Sequence, residues 1–399
     1  MEVHLMKNSI LKSRLLLLTL VMLMILTSGC GQKTAVQENN NNSSEKQEVG
    51  EILIGVSTAL TGPSPLEGER TKQGIELAIE EINQQGGVLG KKLKAIYEDD
   101  QNNTTFAVNA VNKLCSEDIV ALMGPHRSNN AMAVEQIVKK NRIPYLTGAT
   151  TPKLAGLNNP YVFRVRASDS VVAKIVAKFA IEELKAKNLG IFYNTDDYGA
   201  GALEVIEQYL KDNNIQAAVI EGHNTGDKDM TGQILKAKDK GVDCLIVWTH
   251  APEGAVIARQ IKELGLKGKF IGSAGLCLPT YFDLVDADIS DGWYGATDIV
   301  PNNPDPIVQN FVTNFRKKYN VEPDIFASCY YNATYILADA IKRAGSTDRE
   351  KIREALSQTK DLSGVYGKVY ANEHGELIHE VTIVKNQGKT PMFEKVVKE

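Results

Sequence analysis

Cysteine is scarce in this chain, with five in 399 residues and no paired spacing, which excludes a disulfide-built scaffold. A surplus of one charge is also missing. Lys and Arg total 45 against 49 Asp and Glu, and the net charge of -4 excludes the clustered basic excess of a nucleic-acid binder. Glycine and proline, at 32 and 13, are too few for a fibrous or disordered body. Catalytic signatures are lacking too: no G-x-x-x-x-G-K-[ST], H-E-x-x-H, G-x-S-x-G or C-x-x-C occurs. No catalytic residue, metal site or cofactor is therefore expected. What remains is 43% hydrophobic and 24% charged, the composition of an ordinary globular chain with room for two or three domains.

The single long apolar run lies at the start. Lys7, Lys12 and Arg14 precede LLLLTLVMLMIL (15–26), and Thr27-Ser28-Gly29-Cys30 follows. Basic residues, a short apolar core and small residues at a cleavage point make a secretory signal peptide over 1–29, with Met1 or Met6 as the start. The run falls short of the roughly 18–20 apolar residues that span a bilayer as a helix. Its end, Leu26-Thr27-Ser28-Gly29-Cys30, resembles the lipobox of bacterial lipoproteins, in which the Cys thiol is acylated. Cys30 is thus the expected lipidation site and holds the chain at the outer face of the bacterial cell membrane. Residues 31–50, GQKTAVQENNNNSSEKQEVG, carry too little apolar surface to fold. With Cys30 they form a tether of roughly 25 Å.

From residue 51 strand and helix alternate. Compact β-rich runs such as ILIGVSTAL (52–60), IVALM (119–123) and CLIVW (244–248) are separated by segments with apolar residues at i, i+3, i+4 and i+7. Ile75, Ala78, Ile79 and Ile82 form one such face, and Val172, Ile175, Val176 and Phe179 another. Two runs of alternation, 52–165 and 188–297, imply two similar α/β lobes with parallel sheets. Helices near 306–318, 327–344 and 349–357 and short strands near 365–370, 380–385 and 393–397 must then return to one lobe or the other. Asp99-Asp100, ending a strand, are candidates either for ligand contact or for capping the helix from Thr104. Tyr198-Gly199-Ala200-Gly201 lacks the third glycine of a nucleotide loop and reads as a helix-opening turn. His374 and His379 fall beside a turn and read as solvated surface residues. Cysteines 115, 244, 277 and 329 are expected to be mostly buried free thiols.

Several separated segments resemble, in order, the extracellular solute-binding proteins of the leucine/isoleucine/valine-binding type, the type I periplasmic binding proteins. They are IGVSTALTGPSPLEGERTKQGIELAIEEINQQGGVLGKKLKAIYEDD, GPHRSNNAMAVEQIVKKNRIPYLTGATTPKL, YNTDDYGAGALE, HAPEGAVIARQIKELGLKGKFIGSAG and YYNATYILADAIKRAG. The resemblance implies two doubly wound α/β, Rossmann-like lobes joined by three hinge crossovers. They are expected as 51–168 plus 297–363 and 169–296 plus 364–399. It also implies closure on a small solute and docking on an ABC-importer permease; a monomer is expected, and the charge balance gives no nucleic-acid partner.

By the same resemblance the ligand carboxylate meets Ser128, the loop of Gly148, Ala149 and Thr150 gives a backbone carbonyl and a Thr hydroxyl, and the second lobe contributes Tyr198 and His250. Departures from the family pattern bear on the ligand. The acid that holds an α-ammonium group falls on Ala274, an aromatic position falls on Glu67, and Arg127 stands where some members carry a disulfide Cys. Arg127 either clamps a ligand carboxylate or pairs with Glu67 at the rim. An amino acid of branched-chain or aliphatic type is the first expectation for the solute. The alternatives are another small aromatic or aliphatic carboxylate, or a sensor or interaction role for the lipoprotein.

Overall fold

The computed structural model describes residues 50–397, so the readings of the signal peptide, Cys30 and most of the tether lie outside the described residues. The first sheet has five parallel strands in the order β2-β1-β3-β4-β5. These are β1 (Glu51–Thr58), β2 (Lys92–Asp99), β3 (Ile119–Met123), β4 (Tyr145–Thr147) and β5 (Val162–Arg164). Every residue of β3 is buried, which a sheet covered by helices on both faces requires and a continuous apolar run supplies. The helices between the strands are α1 (Pro65–Gln84), α2 (Thr104–Cys115), α3 (Ser128–Asn141) and the single turn α4 (Lys153–Gly156).

The second sheet has seven strands in the order β15-β14-β10-β9-β8-β6-β7. Its parallel part is β6 (Leu189–Asn194), β7 (Val219–His223), β8 (Cys244–Trp248), β9 (Lys269–Gly272) and β10 (Tyr294–Thr297). Helices α5 (Asp169–Glu182), α6 (Asp197–Asp212), α7 (Thr231–Asp239), α8 (Ala251–Leu264) and α9 (Pro279–Phe282) connect them. Two antiparallel strands near the chain's end, β14 (Val381–Gln387) and β15 (Thr390–Val397), extend this sheet beyond β10.

Between β10 and β14 the chain revisits the first lobe with α10 (Pro306–Tyr319), α11 (Ile325–Ala344) and α12 (Arg349–Ser357). It also adds a small antiparallel sheet of β11 (Leu362–Gly364), β12 (Gly367–Ala371) and β13 (Leu377–Ile378). This return runs further than the sequence reading placed it. Val365, Tyr366, Val369 and Leu377 pack in the same core as Ile54, Val56 and Ile341, so 364–378 belongs with the first lobe. The third crossing comes at 378–381. Two- and three-residue strands carry no periodicity from which to read that point.

One buried carboxylate meets all three crossings. Asp298, just past β10, accepts hydrogen bonds from Arg166 Nε (2.8 Å) and from the Ala167 backbone N–H (2.8 Å), both in the first crossing. His379 Nε2 of the third crossing lies 3.3 Å from its Oδ1. His379 is therefore a buried residue, packed on the Tyr366 ring at 4.6 Å, and the surface reading is corrected. The turn signals around it were real, but both lobes cover the turn. His374 is exposed as expected. Asp99 and Asp100 do neither thing expected of them. Asp99 takes N–H groups from Leu60, Thr61 and Gln101, Asp100 takes the Ser57 hydroxyl and the Asn102 N–H, and Asn103 caps α2. Cys244, Cys277 and Cys329 are buried free thiols, and Cys115 is half-buried and free.

The C-terminal helices close on the first lobe through small residues. A Cβ added at Gly74 of α1 would stand 2.0 Å from the Ala327 carbonyl oxygen of α11, backbone that cannot step aside. Gly74→Ala should therefore lower unfolding stability by about 1–3 kcal/mol, the range for overpacking a tight core. Gly156→Ala, exposed and with nothing within 4 Å of the new Cβ, should be near neutral. Denaturant unfolding of the two variants checks the difference.

Candidate functional site

In both sheets the loops after the parallel strands leave from the same edge, and where the two edges face each other they line one cavity. From the first lobe come Glu67, His126, Arg127, Ser128, Gly148 and Thr150, with Arg166 at the first crossing. The second lobe supplies Tyr198, Thr249, His250, Ala251, Ala274, Gly275 and Leu278, and the start of α11 adds Ile325 and Phe326. The structure thus brings together every expected site residue except Ala149, which is buried beside the cavity without lining it. The cavity leaves about 50 Å³ free. At roughly 10–15 Å³ for one water, that is room for about four.

Glu67 answers the question its charge raised. Arg127 Nη2 donates to Glu67 Oε1 at 2.8 Å and to Oε2 at 3.0 Å, His126 Nε2 lies 2.9 Å from Oε2, and Asn102 Nδ2 donates to the same oxygen at 3.1 Å. Burial opposes ionisation of this carboxyl, but Arg127 and His126 outweigh it and hold it well below the usual carboxylate range. Arg127 is thereby committed to Glu67, in a pair of a half-buried guanidinium and a buried carboxylate. Among the described residues Glu67 is the one acid lining the cavity, and it is already held by three partners.

Ser128 opens α3, and no side chain caps that helix, so its first backbone N–H groups face the cavity end without a capping acceptor. Ser128 Oγ itself accepts the Thr151 N–H at 3.3 Å. The α6 start differs: Asp196 accepts the N–H groups of Tyr198 and Gly199 at 3.1 Å and also meets His250 Nε2 at 2.8 Å. Burial opposes charge on Asp196, yet His250 and the helix N–H groups bring its carboxyl below the ordinary value. Two aromatic walls complete the cavity. Tyr198 stacks on His250 at 5.1 Å, and Phe326 lies against His126 at 4.8 Å.

Sequence reasoning missed His126, Arg166 and Phe326. His126 sat one residue ahead of the motif under attention, and Phe326 comes from a helix distant in the chain. Arg166 did carry a signal: V-F-R-V-R places two cations in an apolar run, which calls for buried acceptors. Both found them. Arg164 donates to the Thr150 carbonyl at 2.9 Å and to Ser168 Oγ, and Arg166 to Asp298.

The chain matches the periplasmic binding protein family over residues 51–390 and belongs to it. Its role is that of a solute-binding protein. It is 30% identical over 333 residues to the Leu/Ile/Val-binding protein BraC3 of Rhizobium johnstonii, covering 82% of this chain and 89% of that one. The leucine-binding protein LivK of Thermotoga maritima superposes with a TM-score of 0.81 at 27% identity, covering 87% and 99% of the two chains. A solute-binding protein of R. palustris in complex with benzoate shares the fold, with a TM-score of 0.79 at 17% identity, over 87% and 96% of the two chains.

Thr150 is wired more deeply than a ligand contact needs. Its Oγ1 donates to Asp169 Oδ2 at 2.8 Å, at the start of α5 across the first crossing. Burial raises the Asp169 carboxyl to about 7, against the pull of Thr150, Arg166 and Arg164. In the unfolded chain an Asp titrates near 4, so between about pH 4 and pH 7 the folded state holds the extra proton. This group's contribution therefore declines as pH rises through that window. Unfolding free energies of the parent minus those of Asp169→Asn, measured from pH 4.5 to 7.5, should fall with pH. Parallel curves would contradict the assignment.

Proposed function

We propose that this protein captures a small carboxylate solute outside the cytoplasm, closes its lobes over it and presents it to an ABC importer, while lipid on Cys30 holds it at the membrane. The uncapped start of α3 with Ser128 offers donors to the carboxylate, whereas the Gly148 and Ala149 N–H groups and the Thr150 hydroxyl already donate to Tyr330, Thr147 and Asp169. The tight cavity means that a solute enters by the lobes moving apart about the three crossings and is enclosed when they return.

One observation carries the ligand class: Ala274 lines the cavity where the family's ammonium-holding acid falls, and the single lining acid, Glu67, is held by Arg127, His126 and Asn102. An α-ammonium group entering this cavity would lose water and gain no free carboxylate, an expensive burial. The favoured solute is therefore an acid without that group. Benzoate in the R. palustris protein supports the fold's capacity for such ligands. The names of the R. johnstonii and T. maritima relatives favour the second reading, a branched-chain amino acid. That reading needs Glu67 to exchange a partner for the ammonium.

Leucine and 4-methylpentanoate share a carbon skeleton and differ by the amine. Calorimetry should show 4-methylpentanoate binding at least as tightly as leucine. A tenfold preference for leucine would establish the amino-acid reading instead. For the anchor, Cys30→Ser should move the protein from the membrane fraction to the medium or leave it unprocessed. A cleaved Ser variant that still sediments with membranes would remove the lipid from the account.

A further inference from the structure

Among the basic side chains lining the cavity, Arg127 and His126 are engaged by Glu67, and His250 by Asp196 at its edge. Arg166 differs. Its acid, Asp298, sits behind it among the crossings and takes only the Nε edge, at 2.8 Å. Nη1 and Nη2 make no hydrogen bond with any described residue, although the side chain is only 16% exposed and lines the cavity. The side chain packs along Gly148, where a Cβ would stand 3.4 Å from Arg166 Cδ, an ordinary contact. Arg166 thus lines the same cavity as Ser128, which the carboxylate is expected to meet. Four N–H donors in a nearly enclosed cavity favour a planar, charged acceptor, and a carboxylate matches the guanidinium fork with two parallel bonds.

We propose that Arg166 is the specificity-determining residue of this site, binding the solute carboxylate through its free Nη edge while its Nε edge holds Asp298 at the crossings. This rests on the carboxylate reading above and deepens it. Asp298 also receives the Ala167 N–H and faces His379, so Arg166 links a bound carboxylate to the acid at which all three crossings meet. An acid then stabilises the closed arrangement directly, and a neutral analogue of the same shape does not.

The test uses the mature protein and four carboxylate probes, 4-methylpentanoate, benzoate, glutarate and leucine, each against its amide by calorimetry and thermal shift. In the parent, a carboxylate should bind about 10- to 100-fold more tightly than its amide, the worth of a charge-assisted bidentate contact. Arg166→Gln should erase that preference and leave amide affinity within a few fold. Arg166→Lys, which keeps charge but loses the fork, should retain part of it. Arg127→Gln, whose partner is Glu67, should lower acid and amide affinity together. A preference unchanged in Arg166→Gln overturns the assignment, and so does a loss for acid and amide alike, which marks Arg166 as structural only. Leucine binding best, with its preference over leucinamide still lost in Arg166→Gln, overturns the ligand reading and keeps the arginine. If no carboxylate raises the parent's melting temperature at millimolar concentration, both fall.

Discussion

The contact on which this architecture turns is that between Asp298 and the three crossings. A buried carboxylate must be charged and paired or else neutral, and here Arg166 and the Ala167 N–H pair it while His379 lies alongside. Burial works against the charge, and Arg166 outweighs it, so the Asp298 carboxyl sits below its ordinary value. Removing one partner of such a pair leaves an uncompensated charge. One ion pair therefore ties the crossings together. That suits a segment on which two lobes must turn.

The cavity follows from the sheets. Parallel strands send their following loops to one edge, and here two such edges face each other, so each lobe supplies half of the lining without a dedicated binding domain. Where the helix starts are uncapped by side chains, as at α3, they retain donors for an anion. Where they are capped, as by Asp196 at α6, the donors are used internally. The aromatic pairs Tyr198–His250 and Phe326–His126 then narrow the space between. On the proposed reading, a solute carboxylate takes the Nη donors that Asp298 leaves free at Arg166.

Much of the fold was legible because parallel strands buried on both faces are continuous apolar runs. IVALM and CLIVW fall on β3 and β8 residue for residue, and 349–357 on α12. What escaped was short or remote. β5, β11 and β13 have two or three residues and no period, which moved the third crossing from 364 to 378–381. His379 was misplaced because a turn composition says nothing of what packs over the turn. In the site, Ser128, Thr150, Tyr198 and His250 came from a family pattern, and physical reasoning alone would have read two of them as helix caps. The Glu67–Arg127 pair was a stated alternative that only geometry decides. Arg166 was missed because its acceptor lies 132 positions further along the chain.

The central claim is that this cavity selects an acid and has no place for an α-ammonium group. Native mass spectrometry of the mature protein, purified without refolding from cells grown in rich medium, tests it most directly. The account predicts a retained small carboxylic acid that carries no primary amine and is released on denaturation. A retained leucine, isoleucine or valine would contradict it.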